Sequence, residues 1–108
     1  MSPSTFTATL DGHLKIVEDT VARIEKGEGD KLDLESLRGH LVDVLEIIER
    51  NSGIEAAADD LYEVASRSVL GASGEHNPQS RARRILRDAA SRLRERLVTA
   101  KPLLRRFG

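Results

Sequence analysis

The sequence predicts an all-α protein, an antiparallel four-helix bundle, and three observations support this fold class. Leu and Ala together outnumber Val and Ile by 25 to 13, a composition that favours helices over a sheet. Apolar residues recur at steps of three and four in four separate stretches, which is the spacing of one helix face. Short segments separate these stretches, and short loops join antiparallel neighbours. The 108 residues fit a single domain, 1–108.

The first two helices are predicted over about residues 7–26 and 33–50. Residues 1–5 are small and polar and are expected to form a flexible N-terminus. Gly27 predicts the end of the first helix, and Asp33 is the expected N-cap of the second. The two apolar stripes are Leu10, Leu14, Val17, Val21 and Ile24, and then Leu34, Leu37, Leu41, Val44, Leu45 and Ile48.

The third and fourth helices are predicted over about residues 54–71 and 78–100. Asn77 and Pro78 are a start signal, because Asn caps a helix and Pro fits its first position. Pro102 is expected to end the fourth helix and leave a short apolar and basic tail over residues 102–108. The stripes are Ile54, Ala57, Ala58, Leu61, Val64 and Ala65, and then Ala82, Leu86, Ala89, Leu93 and Leu97. They fit a single-chain bundle or one completed by dimerisation.

Composition excludes several classes of function. The chain contains no cysteine, which excludes a disulfide scaffold, a thiolate zinc site, an iron–sulfur cluster and a cysteine nucleophile. No apolar run approaches the roughly 20 residues of a membrane span, and the first ten residues lack the pattern of a secretion signal. No phosphate-binding or nucleophile motif occurs. We therefore expect a cytoplasmic protein without a catalytic residue, a cofactor or a bound metal.

Charge is distributed unevenly along the chain. Residues 1–60 hold 6 basic and 14 acidic side chains, whereas residues 61–108 hold 11 basic and 4 acidic ones. The net charge of −1 is therefore the near-cancellation of an acidic half and a basic half. Such a layout indicates either two halves folded against each other or a basic segment offered to an acidic partner.

Arginines of the fourth helix are the main candidate interaction residues. At 100° per residue, two basic flanks border its apolar stripe. In the first helix, Asp11, Glu18 and Glu25 recur once per heptad beside the apolar seam, which predicts that they pair with a neighbouring helix. The alternative is that the arginines track the phosphates of a nucleic acid. The candidates are Arg83, Arg87 and Arg94 on one flank, and Arg92 and Arg96 on the other.

The tail beyond Pro102 is the second candidate interaction element. Leu103, Leu104 and Phe107 are three large apolar side chains within five residues. Each would lose roughly 1.5–3 kcal/mol of burial free energy if it stayed in water. The tail is therefore expected to dock, either on the end of its own bundle or on a second subunit.

Carboxylates of the second and third helices suggest a further alternative. The stretch Glu55–Tyr62 resembles the second acidic motif of the phosphoribosyl-ATP pyrophosphohydrolase and MazG-type group, which implies a metal-dependent nucleotide pyrophosphohydrolase of the all-α type. Glu46, Glu49 and Asp59 would then hold the ion. Unlike the family's pattern, Glu55 and Asp59 are four residues apart instead of three, and residues 39–41 supply no carboxylate pair.

Two histidines occupy boundary positions, each about 60° from the middle of an apolar stripe. A four-helix bundle with such a histidine resembles a histidine phosphotransfer domain in outline. However, His40 is followed by Asp43 and Val44 where that chemistry places Lys and Gly, and His13 is followed by Ile16 and Val17. Neither histidine is followed four residues later by another histidine or a carboxylate, and no third ligand is evident. No metal site is therefore predicted.

The function expected from the sequence is that of a small non-catalytic helical bundle acting through protein–protein contact. Its partner would be a second copy of the chain, as in a homo-oligomer, or another, acidic protein. Nucleic-acid binding through the arginine-rich fourth helix is the alternative, and the metal-dependent pyrophosphohydrolase is the second alternative.

Overall fold

The computed structural model describes the backbone of residues 3–70 and 79–103 and the side chains of residues 5–70 and 83–103. Within these ranges the chain forms four helices and no strand, which confirms the predicted fold class. The helices are α1 (Pro3–Glu25), α2 (Lys31–Ile47), α3 (Ser52–Leu70) and α4 (Gln79–Leu97). The predicted start signal Asn77–Pro78 lies outside the described residues. None of the described helices is long and apolar enough to cross a membrane.

Helix α1 begins earlier than predicted and ends where predicted. Its first residue is Pro3, so residues 3–5 are helical instead of belonging to a flexible end. Proline fits the first turn because the backbone donor it lacks would have no partner inside the helix. At the other end, Gly27 has a φ of 78°, its N–H donates to Ile24 O, and the N–H of Glu28 donates to Arg23 O. These bonds satisfy the last carbonyls of the helix, as in a Schellman motif.

The N-terminus of α2 corrects the predicted cap. Asp30 is the N-cap, because its side chain accepts from the N–H of Asp33 at 3.0 Å. Asp33 is the third helical residue, and its carboxylate accepts from the N–H of Asp30 at 3.1 Å. The two aspartates thus form a reciprocal capping box, and α2 starts two residues earlier than predicted.

The four helices pack in an up-down-up-down order. Each helix contacts its neighbours in sequence, α4 also packs on α1, and α1 reaches α3 across the core. Leu37, Leu61 and Leu86 are among the largest fully buried side chains. Of the predicted core, Leu14, Leu45 and Val64 are only half-buried, and Ala82 lies outside the described side chains. The small Ala57, Ala58 and Ala65 are all buried, which lets a neighbouring helix approach α3 closely.

The end of α2 pairs with the segment that follows α4. Helix α2 ends at Ile47, three residues before its predicted end, and α4 ends at Leu97. The N–H of Glu49 donates to Lys101 O at 2.7 Å, and the N–H of Leu103 donates to Ile47 O at 2.9 Å. An antiparallel bridge therefore joins Ile48 and Pro102. These contacts place the C-terminus of α2 and the C-terminus of α4 at the same end of the bundle.

Two glycine substitutions should change stability in opposite directions. A Cβ atom on Gly29 would lie 2.5 Å from Ile24 Cγ1 and 3.1 Å from Ile24 Cα. Gly29→Ala should therefore lower the free energy of unfolding by about 1 kcal/mol or more, because buried Ile24 must shift. Gly39, in the interior of α2, has nothing within 4 Å of the same position. Gly39→Ala should raise it by about 0.5–1 kcal/mol.

Urea unfolding of both variants beside the unaltered protein checks this prediction. Gly39→Ala is the matched control, since it makes the same chemical change in open space. A Gly29→Ala variant as stable as Gly39→Ala would show that the loop between α1 and α2 does not pack against Ile24 in this way.

Candidate functional site

Arginines on one flank of α4 pair with acidic residues of α1. Arg94 Nη1 lies 2.9 Å from Glu18 Oε2, and Arg87 Nη2 lies 3.4 Å from Glu25 Oε2. These contacts confirm, for Glu18 and Glu25, the prediction that acidic residues of the first helix pair with a neighbouring helix, and that helix is α4. Both arginines and Glu18 are exposed and Glu25 is half-buried, so each pair contributes only about 0–1 kcal/mol, and their main effect is to orient α4. Arg83, on the same flank, is exposed.

Arginines on the opposite flank of α4 contact α3. Arg92 Nη1 lies 3.2 Å from Asp60 Oδ2, and Arg96 Nη1 donates to the carbonyl oxygen of Gly53 at 2.6 Å. The contact with Gly53 was not predicted, because the sequence does not indicate that a carbonyl at the start of α3 faces α4. Arg87, Arg92, Arg94 and Arg96 thus each contact a group of their own fold.

A groove runs along the surface between α1 and α4, and we call it the α1–α4 groove. Its apolar lining is Leu10, Leu14, Leu97 and Val98. Its charged lining is Asp11, Lys15, Glu18, Asp19 and Arg94. The volume is about 530 Å³, which falls within the range of about 300–1,000 Å³ of typical ligand sites. The groove can therefore accommodate several side chains of a bound chain.

Val98 is the most exposed large apolar side chain of the described residues, at 83%. It follows the last residue of α4 and lines the α1–α4 groove beside the buried Leu97. The sequence analysis predicted an apolar tail near this end of the bundle and left Val98 out of the apolar stripe, but it did not identify Val98 as a contact residue.

Leu103 is the only apolar candidate of the tail that lies within the described residues. It is half-buried, and its backbone pairs with Ile47 at the end of its own bundle. Leu104 and Phe107, the other two apolar candidates, lie outside the described residues.

The acidic residues of α2 and α3 do not converge on one point. Glu46, Glu49 and Asp59 are exposed, and no group of metal-ligand geometry within the described part of the chain includes them. Several neighbouring carboxylates contact basic side chains instead. For example, Glu55 Oε2 lies 3.7 Å from Arg50 Nε. This placement does not favour the pyrophosphohydrolase alternative, which needs those carboxylates around one ion.

Two histidines, predicted only as separate boundary residues, meet between α1 and α2. The Nδ1 atoms of His13 and His40 are 2.9 Å apart, and the ring centroids are 5.2 Å apart. Both side chains are half-buried. One ring must donate and the other accept if the two share a hydrogen bond, so they need opposite tautomers at this contact.

A carboxylate completes this cluster. Asp43 lies one turn after His40 on the same face of α2, and one ligand atom from each of His13, His40 and Asp43 lies within 4.8 Å of the others. This is the one group of three or more potential metal ligands that the described residues bring together. The cluster depends on the register of α1 against α2, which the sequence pattern does not determine.

Comparisons with protein-family models, with curated proteins and with solved structures gave no match.

Proposed function

We propose that the protein is a non-catalytic, cytoplasmic homo-oligomer that acts through protein–protein contact. The contact surface is the α1–α4 groove, and its occupant is the C-terminal segment of a second copy, residues 104–108. The observation that carries the proposal is the exposed Val98, which lines the α1–α4 groove beside other apolar residues and several charged ones. An apolar side chain gains about 25 cal/mol for each Å² of surface removed from water, so a partner that covers Val98 gains free energy.

Charge complementarity selects the C-terminal segment as the occupant. Of the charged residues that line the groove, Glu18 and Arg94 pair with each other, which leaves two aspartates and one lysine. The segment is both apolar and basic, since it contains Leu104, Arg105, Arg106 and Phe107. Its apolar residues match the apolar lining, and its arginines match Asp11 and Asp19.

The uneven charge of the chain supports association between identical copies. The acidic half contains α1, which supplies most of the charged lining, and the basic half contains the C-terminal segment. Two copies can exchange their segments around a twofold axis, which gives a closed dimer with two equivalent contacts. The segment follows Leu103, which is held at the same end of the bundle as Val98.

The alternatives have weaker support. Nucleic-acid binding needs arginines available to phosphates, but Arg87, Arg92, Arg94 and Arg96 contact groups of their own fold. An acidic protein partner would also need these arginines of α4, which already contact groups of their own fold. Asp11 and Asp19 in the groove would repel such a partner. The C-terminal segment of a second copy offers apolar side chains to the apolar lining and arginines to the aspartates.

Val98→Glu should shift the protein from oligomer to monomer without unfolding it. The side chain is exposed, so the substitution removes no core contact, whereas a carboxylate in the groove would be buried against apolar residues of the partner. Light scattering coupled to size exclusion measures the mass, and circular dichroism measures the helical content. High salt should also weaken the oligomer, because exposed charge pairs are screened.

Leu32→Glu is the matched control for this experiment. Leu32 is 72% exposed and lies at the start of α2, at the end of the bundle opposite Val98. It should leave the mass unchanged. A monomeric unaltered protein, or an equal effect of both substitutions, would overturn the proposal. A monomer that binds duplex DNA with steep salt dependence would support the nucleic-acid alternative instead.

A further inference from the structure

We propose that His13, His40 and Asp43 form a binding site for one divalent transition-metal ion of the zinc class. The sequence predicts no such site, and the proposal is independent of the α1–α4 groove, since the cluster joins α1 to α2. It rests on three features of the cluster: the separation of its ligand atoms, its donor chemistry and the position of its residues on two packed helices.

The separation of the ligand atoms is close to that of a metal site. Zinc binds imidazole nitrogen at about 2.0–2.1 Å, so two nitrogens on one tetrahedral ion lie about 3.3 Å apart. The Nδ1 atoms of His13 and His40 are 2.9 Å apart. The distance between the two Nδ1 atoms needs to grow by only about 0.4 Å, and both rings must turn so that their Nδ1 lone pairs converge on the ion. One nitrogen of each ring and a carboxylate oxygen of Asp43 already lie within 4.8 Å of one another.

The donor chemistry selects the metal class. Two imidazole nitrogens and one carboxylate oxygen suit Zn²⁺ and its neighbours Co²⁺, Ni²⁺ and Cu²⁺, whereas Mg²⁺ and Ca²⁺ prefer oxygen ligands alone. Three protein ligands leave the fourth tetrahedral position to water or to another ligand. The chain contains no cysteine that could compete for the ion.

The alternative occupant of this contact is a proton. Without a metal, His13 and His40 share one hydrogen bond, and this bond requires one particular pair of tautomers. A metal ion would take the place of the shared proton, which moves to Nε2 of the donor ring, so that both neutral imidazoles offer an Nδ1 lone pair to the ion beside Asp43. Because His13 belongs to α1 and His40 to α2, the ion would cross-link the two helices and stabilise the folded state over the unfolded one.

Titration of the full chain with zinc chloride alone, followed by calorimetry, tests the site. We expect one ion per chain and a higher melting temperature in its presence. Cobalt chloride should give the visible absorption bands of tetrahedral Co²⁺. His13→Gln and His40→Gln should each weaken binding at least about tenfold, because even residues that only support a ligand commonly contribute 10–100-fold. Asp43→Asn should weaken it as well.

Matched controls separate this site from weak surface binding. His76→Gln makes the same change at the remaining histidine, and Asp59→Asn makes it at an exposed carboxylate of α3. Both should bind zinc as the unaltered protein does. Val98→Glu should also retain the site, which separates failure of the metal proposal from failure of the proposed oligomer.

Asp43→Asn keeps the test decisive if the histidine variants do not fold, because Asp43 is exposed and its substitution leaves the histidine pair in place. The proposal is overturned if the unaltered protein binds no zinc at millimolar concentration. It is also overturned if zinc binds but the variants of His13, His40 and Asp43 bind it as tightly as the two controls do. The pair is then a hydrogen-bonded contact between helices.

Discussion

Leu61→Ala is expected to lower the free energy of unfolding by about 2–5 kcal/mol. Leu61 is fully buried at 0% exposure in the middle of α3, and the substitution removes apolar burial and leaves a cavity in the core. A domain of this size is stable by about 5–15 kcal/mol, so the loss is a large part of the total. Urea unfolding followed by circular dichroism measures the difference.

Leu32→Ala is the control, because it makes the same change at an exposed leucine. Its effect should stay within about 0.5 kcal/mol. Leu41→Ala, at a buried position of α2, should resemble Leu61→Ala. Unfolding curves of Leu61→Ala and Leu41→Ala that coincide with that of the unaltered protein would mean that these helix faces do not form the core.

The four helices could be predicted because burial imposes a period on the sequence. Leu37, Leu41 and Val44 recur at the spacing of one face, and all three are buried. The exact ends of the helices were less predictable, because several residues near an end can serve equally well as its cap. Asp30 and Asp33 are both suitable caps, and the structure uses both in one capping box. The early end of α2 depends on a pairing with residue 102, about fifty residues away in the sequence.

Contacts between helices were predictable only where they repeat. The acids of α1 recur once per heptad, so any register that brings α4 alongside pairs some of them with arginines, as Glu18 and Glu25 do. His13 and His40 are single residues on different helices. Their contact depends on one register of α1 against α2, and a shift of one turn would separate them by about 5.4 Å. The sequence signal was limited to their shared boundary position.

Truncation after Lys101 is expected to lower the free energy of unfolding by about 2–3 kcal/mol, whereas truncation after Leu103 should leave it unchanged in the monomer. The shorter chain loses the hydrogen bond from Leu103 N–H to Ile47 O and the half-buried side chain of Leu103. It also loses Pro102, the partner of Ile48 in the bridge. A hydrogen bond contributes about 1 kcal/mol, and partial burial of leucine contributes about 1 kcal/mol or more.

The two truncations separate the two roles of the tail. Both remove the segment 104–108 that is proposed to enter the α1–α4 groove, so both should reduce the mass measured by light scattering. Association itself raises apparent stability, so the melting temperatures are compared at a concentration where the unaltered protein is monomeric. At this concentration only truncation after Lys101 should lower the melting temperature. If truncation after Leu103 keeps the full oligomer mass, the C-terminal segment is not the occupant of the groove. If truncation after Lys101 keeps the melting temperature, the pairing with Ile47 contributes nothing measurable to the fold.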